Sequence, residues 1–188
     1  MRHGFKTRAE RISASARTDL SLALTDALDA PAYAAHLGIA ILDFEALSLS
    51  EKSRRQLLVV DDESWSGMTI KHRGVTAVVL NPRHVPERRN STLTHEVSHV
   101  VLGHAPTRVD VSDAGILLVS EYSKDDEDEA DWLAGALLLP RQALIEHRRQ
   151  GLSVEQIARR HAVSRQMCEW RVRMTGVDLQ LRRAKASG

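Results

Sequence analysis

The sequence predicts an α+β fold, a small mixed or antiparallel sheet packed on helices and followed by short C-terminal helices. Three observations point there. β-prone runs gather between residues 39 and 80, helical apolar spacing flanks them on both sides, and strands and helices do not alternate as regular βαβ units. The 188 residues, 43 % of them hydrophobic, suffice for one compact domain, or one domain with a small appendage.

Taken in order, residues 8–29 place Ile12, Leu20, Leu24 and Leu28 on one helical side. Asp29-Ala30-Pro31 reads as a helix start, with Asp29 at the cap and Pro31 in the first turn; that helix stops at Gly38. A strand follows at Ile39–Leu42, and residues 43–55 are ambiguous. Three β-prone runs come next, Leu57–Val60, Gly67–Lys71 and Val75–Leu80, the last two joined by an Arg73-Gly74 hairpin turn. Val75–Leu80 reads equally as an internal strand or as a sheet edge on which an extended peptide could lie. Asn90 or Ser91 is placed to cap a helix from about Thr92 to Leu102, closed by Gly103. The apolar run Gly115–Val119 is either strand or loop. Acidic residues at 125–129 suit the positive end of a helix running to about Leu139, and residues 152–185 read as two or three short helices.

Composition narrows the function classes. One cysteine, Cys168, cannot form an internal disulfide and fits a reducing cytoplasm. The longest apolar stretch, Leu133–Leu139, is too short to cross a bilayer, and no apolar region follows Arg2, Lys6, Arg8 and Arg11 as a signal peptide would need. A soluble, cytoplasmic protein is therefore expected. Aromatic residues are only 4 % of the chain, too few for a stacking platform for single-stranded nucleic acid. The charge is uneven. Residues 141–188 carry 11 Lys or Arg against 4 Asp or Glu, whereas residues 1–140 carry 15 against 21. A basic end on an acidic body reads either as a patch for nucleic acid or an acidic partner, or as a solvated Arg-rich surface docking on that body.

The chemistry concentrates at His95-Glu96-Val97-Ser98-His99. On a helix, four residues are just over one turn, so the two imidazoles stand on one face and can converge on a tetrahedral zinc. Glu96 sits about 100° around the axis, flanking the metal as a general base for water and later an acid for the leaving amine. A third ligand is needed if one position is to stay open. The metzincin extension fails, because Leu102 and Ala105 occupy the positions that need glycine and histidine. The better source is Glu127-Asp-Glu129-Ala-Asp131. Glu127, Ala130, Asp131, Ala134 and Leu138 share one helical face, otherwise small and apolar, so burial is expected and a metal would compensate the carboxylates. Glu127 then ligates, and Asp131, one turn on, accepts from the outer nitrogen of a ligand histidine. Glu129, about 160° from Glu127, is expected to face solvent. The plain alternative for this run is a charged helix N-terminus. His104 and Tyr122 lie near enough in sequence to contact an oxyanion or substrate, although a surface role for His104 is the simpler expectation.

These residues resemble the ImmA/IrrE family of zinc metallo-endopeptidases. The likeness is carried by Thr92-Leu-Thr-His95-Glu96-Val-Ser-His99 and by Glu127-Asp-Glu-Ala-Asp131-Trp-Leu-Ala-Gly-Ala-Leu-Leu-Leu-Pro140, which is similar to the family's E-x-E-A-[ND]-x-F-A-x-x-L-L-M-P. It extends to Leu152-Ser-Val-Glu-Gln-Ile157-Ala158, Val163-Ser164 and Arg171. Ser91, Leu133 and Leu139 depart from it at packing positions. The resemblance implies a zincin-like fold, one zinc per chain, and cleavage of a helix-turn-helix repressor by an anti-repressor acting in a mobile-element or stress response. On this reading residues 1–150 form the metallopeptidase domain and residues 151–188 a basic helical segment packed on it.

Residues 153–172 also read as a helix-turn-helix, with Ile157-Ala158 in the first helix, a turn at Val163-Ser164, and Arg165, Gln166 and Glu169 exposed on the second. Ala162 stands where the turn commonly takes glycine, and Cys168 faces inward. Two alternatives to the protease therefore stay open: weak DNA contact through this segment, and a regulator that captures a repressor at a non-catalytic metal site.

Overall fold

A computed structural model describes residues 1–47, 49–60, 62, 64–111 and 117–186; at 109–111, 117–120 and 185 it describes the backbone alone. Helix α1 spans Phe5–Asp19, and short α2, Ala30–His36, begins at Asp29, whose carboxylate accepts from the Ala32 amide at 3.1 Å. The helix expected over 8–29 ends ten residues early. Ser21 takes a left-handed φ of 56°, the Leu22 amide closes on the Arg17 carbonyl, and Leu24 is left exposed. Strand β1 (Ile39–Leu42) follows; α3 (Glu51–Arg55) runs into a π turn at Gln56–Val60 where a strand was expected. That apolar run does not alternate. Leu57 and Leu58 pack against the Phe44 and Val79 cluster while Val59 and Val60 are exposed, the one-sided burial of a helical turn.

Strands β2 (Gly67–His72) and β3 (Val75–Leu80) form a hairpin in which Arg73 and Gly74 both have positive φ, 47° and 83°, as a tight turn matched to strand twist requires. Helix α4 spans Pro86–Leu102 and starts six residues before the expected first residue, Thr92: Pro86 occupies the first turn with its φ already helical, and no side chain caps it. Gly103 closes it at φ 67°. Strands β4 (Arg108–Val111) and β5 (Leu117–Glu121) lead into α5, Lys124–Leu138, capped by Ser123. The first two residues of the run Gly115–Val119 lie outside the described residues. Helices α6 (Arg141–Arg149), α7 (Val154–Arg160), α8 (Arg165–Thr175) and α9 (Val177–Ala186) complete the chain.

The strands form one mixed sheet in the order β1-β3-β2-β5-β4; β1 and β3 are parallel and the other pairs antiparallel. Strand β3 is thus internal, so of its two readings the peptide-binding edge is excluded. Period-two alternation sorts its faces. Val78 and Leu80 enter the main core with α1, α2, α4 and α5, whereas Val79 joins Phe44 and Ile70 on the opposite face. Thr69 pairs with Val78 in register, so its side chain shares the helix-facing side, toward α4.

A second core joins Leu138, Leu139 and Leu144 to Ile157, Val163, Cys168 and Val177. Two buried arginines secure the junction at the end of α5, where carbonyls lack intrahelical partners. Arg17 donates to the Leu137 carbonyl at 2.8 Å, and Arg171 donates to the Leu139 carbonyl at 3.0 and 3.1 Å while pairing with Glu10 at 2.7 Å. No helix among the described residues is long and apolar enough to cross a membrane.

His147 and His161 meet in the interior, Nε2 to Nε2 at 2.9 Å, with His161 Nδ1 3.1 Å from the Leu138 carbonyl. The carbonyl can only accept, so His161 donates from Nδ1 and takes the His147 proton on Nε2. A proton added to His161 Nε2 would set N–H against N–H. Burial, and then His147, push His161 down to about 4, and burial likewise lowers His147. Between about pH 6.5 and 4 the unfolded chain binds protons that the folded chain refuses, so stability falls with falling pH, on the order of 3 kcal/mol for His161. His161→Asn, which keeps a donor for Leu138, should flatten the decline in Tm between pH 7 and 5; an unchanged slope would assign the acid sensitivity to other groups.

Candidate metal centre

Helix α4 presents His95 and His99 one turn apart, with their Nε2 atoms 3.0 Å from each other. From the first turn of α5, Glu127 Oε2 lies 3.2 Å from His95 Nε2 and 3.7 Å from His99 Nε2. A tetrahedral centre with bonds of about 2.0–2.1 Å sets its ligand atoms roughly 3.3 Å apart. The three edges here bracket that spacing, and two imidazoles with one carboxylate form a donor set suited to zinc.

The electrostatics agree with a cation at this point. Burial opposes charge on the His95 ring, but hydrogen bonds to Asp131 and Glu127 prevail and raise its pKa to about 10. Burial and the neighbouring His95 charge drive His99 the other way, to about 4. Contact with His95 holds Glu127 below the usual carboxylate range despite its partial burial. The two Nε2 atoms face each other beside a carboxylate, a spacing at which a divalent cation could replace a shared proton.

Asp131 Oδ1 is 2.8 Å from His95 Nδ1, the outer nitrogen of that ring. Of the face of α5 expected to be buried, Ala130, Ala134 and Leu138 are buried, whereas its two carboxylates are not: the Asp131 side chain is 69 % exposed and that of Glu127 42 %. Glu129, expected in solvent, is 1 % exposed; the N-terminal residues fold over it, and the Arg2 amide donates to its Oε1 at 2.8 Å. His104 is also buried and lies behind His99, Nδ1 to Nδ1 at 3.0 Å, so neither a surface position nor an oxyanion contact describes it. Tyr122 stacks on His99 with ring centroids 3.7 Å apart.

Glu96 projects to the cleft floor, where Thr69 Oγ1 donates to its Oε2. Burial pushes its carboxyl pKa up, against Thr69 and His95, which favour the charged form. The cleft encloses about 330 Å³ between Gly67, Thr92, His95, Glu96, Asp131 and Met167. Gly67 allows the approach of β2 to α4, since a Cβ there would lie 2.7 Å from the Thr92 methyl. Through Ser91, Asp131 and Met167 the cleft continues into a groove of about 1410 Å³ along α8. Sequence reasoning missed Thr69, since strand parity says which face it occupies only once its pairing is known.

On α8, Arg165 pairs with Glu169 at 2.7 Å and Glu155 at 3.2 Å. Ala162 takes the left-handed turn, φ 50°, that glycine would occupy without strain. Burial raises the Cys168 thiol to about 11, which leaves it unsuited to act as a nucleophile.

Among solved structures, a Mycobacterium tuberculosis transcriptional regulator is similar at 15 % identity with a TM-score of 0.44, over 89 % of this chain and 46 % of that one. The chain thus spans about half the length of that protein. No curated protein matches it. Residues 58–173, which carry the His95–His99 motif, the α5 carboxylates, α7 and most of α8, match the family model described as Peptidase_M78, IrrE N-terminal-like domain, and the chain belongs to that family.

Proposed function

We propose that this chain is a zinc-dependent endopeptidase of zincin-like architecture. The observation that carries the reading is the convergence of His95, His99 and Glu127 beside a half-buried Glu96 at the floor of an open cleft. A bound zinc supplies Lewis acidity that acidifies water and polarises a carbonyl. The chain's own residues do the rest. Asp131 orients His95, Thr69 fixes the Glu96 carboxylate, and Glu96 accepts the proton of the attacking water and returns it to the leaving amine. The groove along α8 gives a polypeptide room on one side of the scissile bond. The ImmA/IrrE likeness supports a helix-turn-helix repressor as the substrate and an anti-repressor role in the cytoplasm.

The test combines metal and cleavage. The purified chain should hold one zinc, cut an unstructured protein and a helix-turn-helix repressor, lose both activities on chelation and regain them with zinc. Zinc at 100-fold above its Kd should also add about 3 kcal/mol of stability, read as a rise in Tm. A zinc-loaded chain that binds the repressor and leaves it intact would favour the capturing regulator. Salt-dependent duplex binding that vanishes in Arg165→Ala would favour DNA recognition.

A further inference from the structure

We propose that His104, held by Glu129 and Asp126, is a positioning residue that locks His99 in its metal-binding tautomer; the inference rests on the zinc site proposed above. Both ligand rings offer Nε2 to the metal point, so each neutral ring carries its proton on Nδ1. For His95 that proton goes to the Asp131 carboxylate at 2.8 Å. For His99 it meets another imidazole, His104 Nδ1, at 3.0 Å. His104 must accept there, and a neutral ring has only one accepting nitrogen, so its own proton sits on Nε2.

That nitrogen faces two carboxylates, Asp126 Oδ1 at 3.5 Å and Glu129 Oε2 at 3.8 Å. His104 Nε2 and Glu129 Oε2 are both buried and neither has another hydrogen-bond partner, so a donor and an acceptor stand opposite each other, a small side-chain rotation from a bond. Glu129 is anchored through its other oxygen, which accepts from the Arg2 amide at 2.8 Å, and Oε2 is thereby left for the ring. Each ligand histidine thus ends at a carboxylate, His95 directly and His99 through one intervening imidazole. Orienting partners of this kind hold ring direction and raise ligand basicity.

The same three side chains are close enough to suggest a cation site of their own. Proton accounting excludes it while His99 is on the metal. The proton on His99 Nδ1 forces the one on His104 Nε2, which then has no lone pair to give. Among the described residues one zinc site follows, not two.

The experiment is zinc competition against a chromophoric chelator, with the metal-free Tm as a folding control. His104→Leu should bind zinc about 10–100-fold more weakly. His104→Asn, which restores an acceptor near the Nδ1 position, should recover part of that loss, and Glu129→Gln should fall between. Equal affinity of wild type and His104→Leu, or a second zinc of comparable affinity in the wild type, would overturn the proposal while leaving the zinc site standing. Should His104→Leu not fold, long-range ¹H–¹⁵N correlation on the zinc-loaded wild type decides: His99 protonated on Nδ1 and His104 on Nε2 are expected, and the opposite tautomer at His104 overturns it. A wild type that binds no zinc removes both this inference and the metal reading.

Discussion

Glu96→Gln should slow peptide cleavage by roughly 10²–10⁴-fold while zinc is bound as tightly as before. The substitution is nearly isosteric, and its amide oxygen can still accept from Thr69, so the fold and cleft should survive. Removed is the one carboxylate among the described residues of the cleft floor left to take a proton from water beside the metal point; Glu127 is committed to the ligand triangle and Asp131 to His95 Nδ1. Binding of an uncleaved substrate should persist, so the loss should appear in kcat. His95→Ala makes the contrast, losing the metal and the rate together. Elemental analysis beside a cleavage assay checks both, and a Glu96→Gln chain cutting within a few-fold of wild type would remove Glu96 from the role of base.

The parts of the site legible in the sequence were those set by position along one helix. The spacing of His95 and His99 and the offset of Glu96 follow from 3.6 residues per turn alone. The pairing of Asp131 with a ligand histidine followed from the same rule once a second helix was placed beside the first, and the structure chooses His95. The burial of Ala130, Ala134 and Leu138 was legible in this way, but that of the charged side chains was not. Glu127 and Glu129 were correctly set on opposite sides of α5, but which side faces a cleft depends on elements distant in sequence, the β2–α4 layer and the N-terminal residues over Glu129. His104 was misjudged for the same reason, since its partners Glu129 and His99 come from two helices. In the fold, capping and turn chemistry placed α2 and the β2–β3 hairpin, whereas the run at 57–60 was short and unalternating, so only packing against Phe44 and Val79 chose its conformation.

Arg171→Met should destabilise the chain by about 3–5 kcal/mol, the usual cost of breaking a buried ion pair from one side. For a chain of this size that is a drop in Tm of roughly 10 °C. The guanidinium is fully buried, and burial lowers its pKa against the pull of Glu10. It meets Glu10 of α1 at 2.7 Å and donates twice to the Leu139 carbonyl just past α5. A methionine fills much of the volume and satisfies none of these groups. The close fit leaves little slack: a Cβ on Gly135 of α5 would lie 2.7 Å from the Trp170 ring and 2.8 Å from Arg171 Cδ, so α5 and α8 are already in contact. Since α5 carries Glu127 near its other end, loosening this end should also weaken zinc binding, though less than His95→Ala does. Arg171→Lys separates charge from geometry: it can keep the Glu10 pair but not the doubled donation to Leu139, and should recover only part of the stability. Thermal unfolding of the three metal-free chains reads the order wild type, Arg171→Lys, Arg171→Met. A Met variant as stable as wild type would mean that packing alone holds α5, α1 and α8 together.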